Sequence, residues 1–274
     1  MLYLVATPLG NLQDITLRAL ECLKTVDLIL CEDTRHSQKL LNHYGIKKPL
    51  KSLHKFNEKK STASLLTALQ QGKSIALITD AGTPCIQDPG TFLVKACHEK
   101  ELPVTSLPGP CAFVTTLSLS GEEEGPFQFV GFLPKKQKAL TQGLLTLLEY
   151  EGHSLAYVSP HELVHVLKTL AELAPERTLL LTKELSKIHE TLYQGPSQTL
   201  YERLKDSPPK GEFVLMIKKA PSTAPHPLLK LPIEEHVLFL EKTYHLSKKE
   251  AIKLAAQQRD LPKRILYNEL MQKE

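Results

Sequence analysis

Reactive side chains and turn formers gather in five short segments of this sequence. They are Thr7-Pro8-Leu9-Gly10-Asn11, Glu32-Asp33-Thr34-Arg35-His36, His54-Lys55-Phe56-Asn57-Glu58, Asp80-Ala81-Gly82-Thr83-Pro84 and Pro108-Gly109-Pro110. Glycine and proline in the first and fourth suit backbone contacts to a bent, compact ligand, because a missing side chain allows close approach. Tight turns without a ligand are the plain alternative for either segment alone. The common nucleotide motifs are absent. There is no phosphate-binding loop ending in Gly-Lys-Ser/Thr, and Gly10 stands alone where a dinucleotide fold would carry G-x-G-x-x-G.

The elements that must position these segments are short apolar runs alternating with helical patterns. The runs are Leu2–Ala6, Leu28–Cys31, Leu50–His54, Ser74–Thr79 and Val104–Leu107. The amphipathic stretches are Thr16–Lys24, Ser37–Tyr44, Ser61–Gln71 and Thr91–Lys100, with Gly45 and Gly72 as stops. This alternation predicts a mostly parallel sheet wound with helices, each of the five segments following a strand. Open α/β sheets bind ligands at that carboxyl edge, so five such loops argue for a site there.

A second α/β unit follows. Its expected elements are strand Phe127–Leu133, a helix through Tyr150, strand Leu155–Val158, helix His161–Leu173 and strand Thr178–Leu181. The segment Lys183-Glu184-Leu185-Ser186-Lys187, a helix near Gln198–Lys205 and strand Phe213–Ile217 complete it. Pro221, Pro225, Pro227 and Pro232 predict a stiff linker that is not helical. Glu234–Tyr244, Lys248–Gln257 and Pro262–Gln272 read as three short helices, Ser247 and Glu250 forming a capping box. The expected organisation is an α/β domain over 1–117, another over 118–220, the linker 221–232, and a basic, helix-turn-helix-like tail over 233–274.

Composition narrows the class. The chain has 274 residues, 42% apolar and 23% charged, which excludes a disordered tail protein, a collagen-like fibre and a coiled coil. The longest uncharged stretch, Leu102 to Gly121, carries three prolines and cannot be a lipid-spanning helix. The first residues lack the basic lead and cleavage site of a signal peptide, so a cytoplasmic protein is expected. Cys22, Cys31, Cys85, Cys97 and Cys111 are scattered singly, without zinc spacing, and read as small apolar residues of a reducing compartment. Residues 1–217 hold 23 basic and 23 acidic side chains; residues 218–274 hold 11 and 7, and so supply the whole net charge of +4. A neutral body with a basic tail suits a polyanionic partner; a solvated terminal helix is the alternative.

Seven strings, taken in order, carry a family resemblance. They are Ala6-Thr7-Pro8-Leu9-Gly10-Asn11-Leu12, Cys31-Glu32-Asp33-Thr34-Arg35-His36, Asp80-Ala81-Gly82-Thr83-Pro84, Asp88-Pro89-Gly90, Leu107-Pro108-Gly109-Pro110, Gly131-Phe132-Leu133-Pro134 and Ser159-Pro160-His161. Together they resemble the small-subunit (16S) ribosomal RNA cytidine 2′-O-methyltransferases, a branch of the tetrapyrrole-methylase superfamily. The resemblance spans residues 1 to about 218 and, more loosely, the tail. It implies a class III methyltransferase of two α/β domains with a cleft between them, plus a small C-terminal helical domain. It further implies a homodimer that binds S-adenosyl-L-methionine in that cleft and acts on 16S rRNA of the small ribosomal subunit; the lack of metal-ligand spacing predicts that no metal is needed.

Carried over by position, the cofactor contacts would come from Pro8, Leu9 and Gly10, from Asp80, Ala81, Gly82, Thr83, Pro84 and Ile86, and from Cys111 and Ala112. Ser159 and Glu184 would close on the adenosine. The chain departs from the family pattern at Val158 and Glu162, where glutamate and arginine are usual.

The chemistry implied is modest. A sulfonium methyl is already activated, so the protein must align donor and acceptor and exclude water. A ribose 2′-hydroxyl attacks poorly until its proton is accepted or drawn away. Glu32, Asp33, Arg35, Glu184 and Lys187 are the candidate catalytic residues, with His36 and His161 in reserve. Asp33 and Arg35 could equally be a loop-fixing ion pair, His161 a helix opener, and Lys187 with Glu184 a surface pair at i,i+3. Arg35, Lys135, Lys136 and Lys138 could meet phosphates, the last three being otherwise a solvated turn. Two rival functions are a carbon methyltransferase of corrin synthesis and a non-catalytic RNA-binding protein. The branch strings and basic tail oppose the first, and the loops crowded on one sheet edge oppose the second.

Overall fold

The computed structural model describes residues 1–220, 227–259 and 261–271. Ten elements alternate through the first part. They are β1 (Leu2–Val5), α1 (Leu17–Thr25), β2 (Leu28–Cys31), α2 (Thr34–His43), β3 (Leu50–Ser52), α3 (Glu58–Gln70), β4 (Ile75–Ile78), α4 (Thr91–Glu99), β5 (Val104–Leu107) and α5 (Ala112–Leu119). The strands lie in the order β3-β2-β4-β1-β5, and every pairing is parallel. Parallel strands covered on both faces need no polar side, which is why Ile75-Ala76-Leu77-Ile78 can be apolar throughout. Ile75 and Leu77 pack with Leu65, Leu69 and Leu93 of α3 and α4. Ala76 and Ile78 pack with Ala19, Leu23 and Leu41 of α1 and α2. The pleat therefore sorts one run into two cores, each buried leucine contributing about 1.5–3 kcal/mol.

The strands end sooner than the apolar runs predict. Ala6, Leu53 and Thr79 are buried but lie outside the ladders, in the loops that leave the sheet.

A second sheet has the order β6-β7-β10-β8-β9. Its elements are β6 (Phe127–Phe132), α6 (Gln137–Glu149), β7 (His153–Val158), α7 (Leu163–Leu173), β8 (Thr178–Lys183), β9 (Thr191–Pro196), α8 (Ser197–Leu204) and β10 (Phe213–Ile217). Sequence patterning did not reveal β9. It is an edge strand without fully buried residues, so it lacks an apolar run. The chain forms two compact units, Met1–Gly121 with Lys183–Thr191, and Glu122–Thr182 with Leu192–Glu274. Thus the connection between β8 and β9 belongs to the first unit.

The tail helices are α9 (Ile233–Tyr244), α10 (Lys248–Gln258) and α11 (Lys263–Met271). Their buried residues Val237, Phe239, Leu240, Ile252, Ala255 and Leu266 share a core with Leu144, Leu148, Leu170 and Leu215 of the second unit. The linker was expected to be free of helix, and the structure corrects this: Pro227–Lys230 forms a 3-10 turn that buries Leu228 completely. Proline is tolerated at the start of such a turn because its missing N–H would have no partner there. Pro221 and Pro225, and the expected helix end at Gln272, lie outside the described residues. No helix among the described residues is long and apolar enough to cross a membrane.

Candidate functional site

All five strands of the first sheet run parallel, so their following loops emerge at one edge. Three of these loops are joined to one another by hydrogen bonds. Thr7 and Gly82 exchange both N–H···O bonds, at 2.9 and 3.0 Å. The Thr7 hydroxyl donates to the Thr79 carbonyl at 2.9 Å, and the Thr83 hydroxyl donates to Pro110 O at 2.9 Å. Gly82 sits at φ +82°, a left-handed conformation that costs other residues roughly 1–2 kcal/mol. Glycine there sets the turn that presents Asp80, Ala81, Thr83 and Pro84.

Asp80 Oδ1 is buried and has no hydrogen-bond partner among the described residues. A buried carboxylate oxygen without a partner is costly and marks a place where a ligand's cationic or N–H group fits. Glu32 and Asp88 face the same region. Burial raises the pKa of the Glu32 carboxyl, and the charges of Asp88 and Asp80 add to the effect. Burial likewise raises Asp88, again with Asp80 contributing. Asp88 entered the sequence reading only in the string Asp88-Pro89-Gly90, not as a candidate site residue.

Gly10 is explained by a neighbour rather than by its own backbone angle. A Cβ at Gly10 would stand 2.7 Å from Cε and 2.9 Å from Cδ of Lys187. The lysine stem thus gives a reason for glycine at this position. Lys187 Nζ donates to Glu184 Oε1 at 3.1 Å, with the two side chains only 27% and 20% exposed. The pair is therefore half-buried, not a solvated surface pair. Glu184 and Ser186 hold φ of +51° and +64°, and Ser186 donates to Asp14 beyond the first loop. Strained residues fixed by long-range contacts are frequent where a segment serves a site.

Asp33 caps α2. Its carboxylate accepts from the Arg35 backbone N–H at 2.8 Å and from Arg35 Nη2 at 2.8 Å. That guanidinium holds the Asp33 carboxyl down at about 2. Of the two readings open for this pair, the loop-fixing one describes its contacts, while Arg35, with 88% of its side chain exposed, presents its charge outward. Cys111 caps α5, followed by Ala112 in its first turn, and Ile86 is 42% exposed. Pro8 is buried and Leu9 half-buried. Burial pushes the Cys85 thiol up to about 11, so it stays protonated at neutral pH.

Ser159 belongs to the second unit, where it follows β7 and its carbonyl accepts from Glu162 N at 3.0 Å. Val158 is buried in that unit's core. His161 precedes α7 in a turn. Lys135, Lys136 and Lys138 are exposed.

In the tail, Lys248, Lys249, Ile252, Lys263, Arg264 and Tyr267 line one groove. The sequence pattern places Lys248, Lys249, Lys253, Arg259, Lys263 and Arg264 on an outer basic face and Ile252, Leu254, Leu261, Ile265 and Leu266 on an inner apolar one, and the structure corrects this at three positions. Arg259 does not face outward: it donates to Nδ1 of the buried His236 at 2.9 Å and to the carbonyls of Leu228 and Leu231. Leu261 and Ile265, expected inside, are 39% and 52% exposed.

Residues 1–201 match the profile of the tetrapyrrole (corrin/porphyrin) methylases. The chain is 46% identical to the ribosomal RNA small subunit methyltransferase I of Haemophilus influenzae, over 81% of this chain and 80% of that protein. It is 42% identical to the protein of the same name from Synechocystis, over 97% of this chain and 96% of that one. Two solved structures share the fold: a Thermus thermophilus uroporphyrin-III-C-methyltransferase (TM-score 0.55, 20% identity, covering 80% of this chain and 94% of that one) and a diphthine synthase (TM-score 0.60, 15% identity, covering 80% and 89%). With its sewn glycine-proline loops at one parallel-sheet edge, the chain belongs to the tetrapyrrole methylase family and is a methyltransferase.

Proposed function

We propose that this protein transfers a methyl group from S-adenosyl-L-methionine to the ribose 2′-hydroxyl of a cytidine in 16S rRNA of the small ribosomal subunit, acting as a cytoplasmic homodimer. The observation that carries the reading is the buried Asp80 oxygen without a partner, placed among loops that Thr7, Gly82 and Thr83 lock together. That buried acceptor fits a compact cation-bearing cofactor. Pro8, Leu9, Gly10, Asp80 to Pro84, Ile86, Cys111, Ala112 and Glu184 would hold it. Bound there, it supplies a methyl already activated by its sulfonium.

The protein's own work is then to position the hydroxyl and take its proton. Glu32 serves as acceptor, since burial beside Asp88 and Asp80 raises its proton affinity. Lys187, steadied by Glu184, offers a cation to the developing oxyanion. Arg35, oriented by Asp33, meets a phosphate of the RNA. The names of the relatives support the ribosomal substrate. The aromatic edge of β6 supports self-association, with Phe127, Val130 and Phe132 46%, 41% and 57% exposed. The test is incubation with labelled S-adenosylmethionine and unmethylated small-subunit particles; absence of label in ribose would reject the proposal.

A further inference from the structure

Phe56 is 97% exposed at the tip of the loop between β3 and α3. A fully exposed phenylalanine gains nothing from folding. On a slack loop that would be unremarkable, but this loop is fixed from both sides. The Asn57 side chain accepts from His54 N at 2.8 Å and donates to Ser52 O at 3.1 Å. The backbone N–H groups of Asn57 and Glu58 both return to His54 O, at 2.9 and 3.0 Å. The Glu58 carboxylate, 8% exposed, accepts from the backbone N–H groups of Gly90, Phe92 and Leu93 at 3.1, 2.9 and 3.1 Å. The ring is therefore presented to solvent by a loop with few alternative conformations.

Charge says what the ring is presented to. Lys55, Lys59 and Lys60 are all exposed, and the loop's one acid, Glu58, is turned inward onto those N–H groups. Lys59 Nζ lies 5.9 Å from the centroid of Phe92, itself 42% exposed. Lysines interleaved with exposed aromatics are the surface that unpaired nucleic acid seeks: cations for phosphates, π-faces for bases. The loop stands at the same sheet edge as Glu32, one strand away, and Lys55 is near enough to favour ionised Glu32.

We propose that Phe56 is a stacking platform for an unpaired nucleobase of the RNA substrate, with Lys59 and Lys60 gripping the adjoining phosphates. This deepens the reading of the chain as an RNA methyltransferase and rests on it.

The test compares the full-length protein with F56A, F56L and F56W. The probes are a short single-stranded RNA carrying 2-aminopurine and unmethylated small-subunit particles. Stacking quenches 2-aminopurine, so the wild type and F56W should quench it. F56A and F56L should bind roughly ten-fold more weakly without quenching. Cofactor affinity and melting temperature should be the same in all four. Equal RNA affinity and quenching across the series would overturn the inference while leaving the methylation proposal standing. F56L matching the wild type would show a plain apolar contact, as with a protein partner, and would also overturn it. A wild type that neither binds nor methylates RNA would overturn both.

Discussion

The aliphatic stem of Lys187 crosses Gly10, leaving no room for a Cβ at that position. Residues 177 apart in sequence are thus fitted to one another, and the ammonium of that lysine is set by Glu184. A methyl group at position 10 must push the stem aside. Gly10→Ala should lower kcat about ten-fold with little change in melting temperature, as should Lys187→Ala. The double variant should cost no more than either single one, because both act through the same ammonium. Additive losses would separate the two residues.

Gly82 should be intolerant for a backbone reason. A Cβ there would stand 3.4 Å from Leu9 Cδ2, which is ordinary contact, but φ is +82°. Gly82→Ala should therefore weaken S-adenosylmethionine binding through strain, and Gly82→Leu should abolish it. Calorimetry in a chelating buffer should show wild-type binding undiminished; a strict need for a divalent ion would contradict the metal-free site.

Glu58 anchors the N-terminus of α4 by three hydrogen bonds from backbone N–H groups. Charge-assisted bonds at a helix N-terminus are among the stronger single contacts, so Glu58→Ala should destabilise the protein by about 2–3 kcal/mol in urea unfolding. A change below about 0.5 kcal/mol would mean that the helix end is held by other groups.

Much of this was legible in sequence, and the remainder has a physical reason. The βα alternation and the five edge loops follow from apolar runs and turn residues, which are local. Glu58 was read only as part of a loop, because an acid in a helix's first turn shows nothing of the second helix it caps. The fit of Gly10 to Lys187 left no trace in sequence, because the lysine lies in the connection between β8 and β9, which belongs to the first unit. Arg259 looked like a phosphate ligand by charge and spacing; only the fold sets it against His236. Long-range pairings leave no periodic trace.

Stability should depend on pH through Glu149. Burial pushes its carboxyl from 4.5 up to about 7, although Tyr244 donates to it at 2.9 Å. Between those values the folded state binds more protons than the unfolded one, so stability falls as pH rises through that window. Glu149→Gln should stabilise the protein at pH 8 by about 1–2 kcal/mol, allowing for partial solvation, and change little at pH 4. Equal effects at both pH values would exclude ionisation of Glu149 as the cause.

The tail's basic groove should contribute electrostatically. Because α9 to α11 share the second unit's core, deleting the tail would expose apolar surface, and charge removal is the cleaner change. Replacing Lys248, Lys249, Lys263 and Arg264 with alanine should weaken binding to small-subunit particles and flatten its salt dependence, each lost phosphate contact reducing the slope by about 0.7–0.9. Cofactor affinity should be unaffected. An unchanged slope would leave the tail a purely structural cap.

The atom that receives the methyl group separates ribose methylation from every rival reaction. Unmethylated small-subunit particles should be incubated with labelled S-adenosylmethionine and the full-length protein, and the RNA then hydrolysed in alkali and digested to nucleosides. The proposal predicts label in 2′-O-methylcytidine at an alkali-resistant linkage, abolished in Gly82→Leu and much reduced in Lys187→Ala. Label in a base, or transfer only to a tetrapyrrole with none to RNA, would contradict it.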